Sequence, residues 1–194
     1  MSKGRLEAFS DGVLAIILTI MVLELKAPAS ADPEALLPVL PFFLSYLLSF
    51  AFIGIYWNNH HHLFQAARRV DGAVLWANLH LLFWLSLVPF TTHWMGQSGF
   101  APWPVALYGV VLLLAAVAFA LLVRCLVALE GKDSALAQAI GRDRKGNASL
   151  LLYGLSAPAA FLHPWLACAG YAAVALIWIV PDRRIEERIA PPAP

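Results

Sequence analysis

Apolar residues gather into six long stretches along this chain, near 5–26, 35–66, 71–95, 102–128, 147–162 and 164–181, parted by short polar or proline-bearing breaks. A helix rises 1.5 Å per residue, so roughly 20 apolar residues cross the hydrocarbon core of a bilayer. The pattern therefore predicts an all-α polytopic membrane protein with six transmembrane helices. The fifth stretch is the shortest, with Pro158 inside it and Pro164 just beyond. Asp32-Pro33-Glu34 reads as the start of the second helix, because Asp is a good N-cap and Pro is tolerated at the first helical position. Asp71 reads the same way for the third. Trp94 and Trp103 bracket a short loop at 96–101, as aromatics do at a membrane surface. The segment 182–194 reads as a charged, proline-rich tail.

Composition agrees. Of the 194 residues 61% are hydrophobic and 13% charged, and the net charge is +1; mean hydropathy is +0.73. That is half the charged fraction of an ordinary soluble protein, and so balanced a charge gives no reason to expect nucleic acid as a partner. Cys125 and Cys168 both fall inside apolar stretches, where they read as small core residues rather than a disulfide pair.

With six spans, every lysine and arginine except Lys26 falls on one side of the membrane. Basic residues mark the cytoplasmic face, so both termini are expected there, in the inner (plasma) membrane of a cell. The first stretch also imitates a secretory signal, with Lys3 and Arg5 before it and Ala27-Pro28-Ala29 after it. Glu7 and Asp11 interrupt the basic region and Glu24 and Lys26 separate the apolar part from the small residues, which favours a retained helix.

Polar side chains are concentrated in the first three spans. In the first helix Ile16, Thr19 and Leu23 fall within about 60° of one another, a narrow stripe. A threonine there either back-bonds to its own helix or serves a neighbour, and spacing does not choose between these. Asp11 points away from Ile16. At the edge of hydrocarbon it is either an interfacial carboxylate favoured by the helix dipole or part of a buried network joining Arg5 to Asn58, His60, Asn78 or His80. Trp57 opens the run Asn58-Asn59-His60-His61-His62. Neighbouring helical residues diverge by 100°, so three successive imidazoles do not converge on one ion, and no metal site is expected. Nucleophile, phosphate-binding and dinucleotide motifs are absent, as is the Thr-Val-Gly-Tyr-Gly potassium filter. The chain reads as neither an enzyme nor a carrier of cofactors.

Arg5-x-x-x-Phe9-Ser10-Asp11 resembles the RxxxFSD signature of the transmembrane-protein-175 family, which contains lysosomal and prokaryotic potassium channels. The likeness extends to Trp57 with the histidines after it, to Asn78 and to Leu87-Val88-Pro89-Phe90-Thr91, and covers the first half of the chain. It implies a homotetramer in the lipid bilayer whose central pore is lined by four copies of the first helix. It also implies that Ile16, Thr19 and Leu23 form the constriction, Glu24 stands at the outer mouth, and the RxxxFSD residues tie the lining helix to helices two and three. The permeant species would be potassium ions. Two rivals remain at this point: a proton-coupled secondary transporter using Asp11 and the membrane histidines, and a non-conducting membrane scaffold.

Overall fold

The computed structural model describes residues 2–131, 133–141 and 143–179. Eight α-helices appear among them and no strand: α1 (Lys3–Leu23), α2 (Leu40–Ala66), α3 (Gly72–Ser86), α4 (Val88–Gln97), α5 (Pro102–Glu130), α6 (Ala135–Ile140), α7 (Arg144–Ala159) and α8 (Pro164–Ile179). Four segments are long and apolar enough to cross a membrane: α1, α2 with the 3₁₀ turn Pro33–Val39 before it, α3 with α4, and α5. The shorter α8 is apolar as well. With 16 residues, α7 spans ~24 Å, less than a hydrocarbon core. The tail at 182–194 lies outside the described residues.

Local chemistry explains the boundaries. Asp71 caps α3 by accepting from Val74 N at 2.9 Å, and Asp143 caps α7 by accepting from Gly146 N at 2.8 Å. That cap moves the fifth helix three residues earlier than its apolar stretch. Asp32 precedes the 3₁₀ turn without capping it, because its carboxylate takes the Ser30 hydroxyl at 2.6 Å instead. The third apolar stretch is two helices in the structure. Pro89 has no N–H to donate, and the regular helical bonding is interrupted at Leu87, whose N–H reaches Trp84 O at 3.2 Å. A proline in the first turn of a new helix costs nothing there.

The fold centres on α5, which packs against α3, α4, α7 and α8. Tyr108 and Tyr171 are both wholly buried, and Tyr171 donates to Val105 O at 3.1 Å. The first helix stands on the other side, against α2, α3 and α4.

Candidate functional site

The first helix has two unlike faces. Leu6, Ser10, Leu14, Ile17 and Met21 recur every three or four residues and are buried, which is the period of a single helical face. On the opposite side Ile16 is 60% and Leu23 74% exposed, and Thr19 between them is exposed too. A bare face of this kind is stable only against lipid or another protein surface. Thr19 Oγ1 donates to Ala15 O at 2.9 Å. The hydroxyl proton is thereby spent on the helix, and the oxygen lone pairs are left facing outward.

Behind the stripe a buried chain of hydrogen bonds joins three helices. Ser10 donates to Leu6 O at 2.9 Å. A serine has one hydroxyl proton, so toward Asn78 it accepts, and the Asn78 amide nitrogen donates to it at 2.9 Å. The Asn78 carbonyl oxygen must then face His60, 2.8 Å from its Nε2. An amide oxygen only accepts, so His60 carries a proton on Nε2. The backbone carbonyl of Leu6 thus sets every donor direction in the chain. Ser10, Asn78 and His60 are each 2% exposed or less, a setting in which an unmade bond is costly.

Asp11 accepts from Trp57 Nε1 at 3.0 Å on the exposed side of the same junction. It therefore reaches α2 without entering the buried chain. The expected network is smaller than its candidate membership: His80 accepts from Trp84 one turn along α3 at 2.9 Å, and neither the Arg5 nor the Asn58 side chain makes a hydrogen bond among the described residues. Phe9 is exposed beside the stripe face. His61 stacks on Trp57, with ring centroids 6.0 Å apart. Glu24 is engaged at the other end of α1, where one carboxylate oxygen lies 3.0 Å from His93 Nδ1.

Two supports were not anticipated. Lys3 donates to Phe64 O and Ala67 O at 2.9 and 3.0 Å, placing a cation on the open carbonyls at the end of α2. Ser49 Oγ bridges Thr92 Oγ1 at 2.6 Å and Tyr108 Oη at 3.0 Å, joining α2, α4 and α5. A serine, a threonine and a tyrosine dispersed over three apolar stretches are the only trace of the second cluster in the sequence. No group of His, Cys, Asp or Glu among the described residues is arranged to hold a metal ion.

Comparison with known proteins places these features in context. Residues 5–89 match the family model described as endosomal/lysosomal potassium channel TMEM175. A potassium channel of Chryseobacterium sp. (strain P1-3) is 53% identical over 189 residues, which covers 97% of this chain and 98% of that protein. The human endosomal/lysosomal proton channel TMEM175 is 34% identical over 116 residues, 54% of this chain and 23% of its own length. The crystal structure of a lysosomal potassium-selective channel TMEM175 homolog from Chamaesiphon minutus superposes with a TM-score of 0.79 at 30% identity, covering 92% of this chain and 96% of that one.

Proposed function

This chain belongs to the TMEM175 family of channels, and from that membership we propose that it is a potassium channel whose pore runs between four copies of α1. The observation that carries the reading is the division of α1 into a locked face and a bare one. Ser10, Leu14 and Ile17 are buried against neighbours in the same chain, whereas Ile16, Thr19 and Leu23 are exposed. Four-fold repetition turns each of those three residues into a ring.

The rings have distinct physical roles. Ile16 and Leu23 offer water no hydrogen bond, so a narrow ring of either dewets and blocks ions without closing mechanically. Ile16 is the gate. Thr19 supplies outward lone pairs that replace part of an ion's hydration shell. Potassium gives up water more readily than sodium, so a narrow neck with few ligands favours potassium modestly. Support from behind keeps the rings in register, since the Ser10–Asn78–His60 chain and the Asp11–Trp57 bond fix the rotation of α1.

The donor directions argue against proton relay through the same residues. Each donor in the buried chain points toward Leu6 O, where the series stops on a carbonyl with no proton to pass on.

In reconstituted bilayers, Ile16→Asn is expected to raise conductance and admit sodium, and Thr19→Ala to weaken potassium preference with assembly intact. Reversal potentials under potassium–sodium gradients read both. Wild-type permeability ratios in both variants would remove the stripe as the filter.

A further inference from the structure

A cavity of about 500 Å³ is walled by α2, α5, α7 and the ends of α6 and α8, with no residue of α1 in its lining. Along α5 it runs from Ala116 to Ala128, ~18 Å of helix. Its inner part is apolar and aromatic, with Phe52, Ala116 and Phe119. Its mouth is polar, with Arg124, Asp143 and Asn147, at the end of the bundle where the basic residues gather.

Two observations ask for a ligand. Tyr56 and Tyr153 line the cavity and are 8% and 2% exposed, yet neither phenol makes a hydrogen bond among the described residues. Both oxygens open onto the cavity, where they can donate to whatever fills it. At the mouth, the Arg124 guanidinium is exposed and makes no ion pair or hydrogen bond among the described residues. Asp143 lines the same mouth and caps α7 through Gly146 N, and it forms no ion pair with Arg124 among the described residues.

The order of the lining suits one class of molecule. Arg124 stands at the mouth, the two phenols lie farther in, and Phe52 and Ala116 line the depth. A glycerophospholipid carries its groups in the same order, phosphate first, ester carbonyls next and acyl chains beyond. A small free anion would leave the apolar depth empty, and a plain alkyl chain would leave both phenols unpaired. We propose that this cavity binds one anionic glycerophospholipid. Its phosphate sits against Arg124, its ester carbonyls accept from Tyr56 and Tyr153, and an acyl chain lies against Phe52, Ala116 and Phe119. The site is separate from α1 and does not depend on how ions cross.

Trp178 lines the same cavity, where its Nε1 donates to Ser149 Oγ at 2.8 Å, and it serves as the reporter. The full chain is placed in phosphatidylcholine bilayers containing a small fraction of phosphatidylglycerol or phosphatidylcholine brominated near the ester. The Trp178 signal is the difference between wild type and Trp178→Phe. Brominated phosphatidylglycerol is expected to quench it at about tenfold lower mole fraction than brominated phosphatidylcholine, the effect of one charge-assisted bond. Arg124→Gln is expected to abolish that preference. The double variant Tyr56→Phe/Tyr153→Phe, which keeps both rings and so the packing, is expected to weaken quenching by both lipids. Inorganic phosphate at millimolar concentration should not relieve it. Equal quenching by the two lipids, a preference that survives Arg124→Gln, unchanged quenching in the double variant, or relief by phosphate alone would each overturn the proposal.

Discussion

One backbone carbonyl governs the chemistry behind the stripe. Because Leu6 O takes the Ser10 proton, the orientation of the Asn78 amide and the protonated nitrogen of His60 follow without further choice. His60→Leu would remove the donor and leave the Asn78 carbonyl oxygen buried and unpaired, at a cost of about 1–3 kcal/mol. His60→Gln retains an amide donor and should recover most of the loss. Thermal unfolding of the two variants in detergent checks the pair, and equal destabilisation would mean that ring packing, not the hydrogen bond, is what matters. At this scale the sequence was legible in part. Ser10 and Asp11 stood out as polar residues beside hydrocarbon. Which member of Asn58-Asn59-His60-His61-His62 turns inward was not legible, because five consecutive polar residues cover every direction around a helix. The pairing of His80 with Trp84 was hidden for another reason: a bond within one turn of α3 satisfies the side chain locally and leaves no sign in the pattern.

Among the elements, hydropathy located the long apolar segments well and their interruptions poorly. The third span is one apolar segment over Gly72–Gln97, and the interruption of its helical bonding at Leu87 arises from the donor missing at Pro89, which averaging over neighbouring residues conceals. Close approach between helices is equally invisible in hydropathy. A Cβ added at Gly96 on α4 would stand 2.8 Å from Phe42 Cα on α2, so contact between these helices requires a residue without a side chain. Small residues serve this purpose in membrane bundles, where van der Waals packing holds helices together. Gly96→Ala is therefore expected to push α2 and α4 apart and lower stability by about 1–3 kcal/mol. Gly54→Ala on α2 is a matched control, since nothing lies near its added Cβ. Unfolding midpoints of the two variants make the comparison, and equal midpoints would show that the two helices can yield.

At the scale of the whole molecule, the chain looks unfinished. The exposed stripe of α1 contrasts with the packed opposite face, and a surface so apolar calls for lipid or for further copies of the same helix. Helical periodicity found the stripe, but the number of copies is not written in one chain's pattern of burial, because a lipid-facing residue and one facing a symmetry axis are equally apolar. A three-dimensional map of the assembled particle decides between them most directly. The account predicts four chains arranged so that α1 surrounds the central axis, with the Ile16 side chains at the narrowest point and Thr19 just beyond. A particle with α1 on its lipid-facing rim, or one containing a single chain, would contradict it.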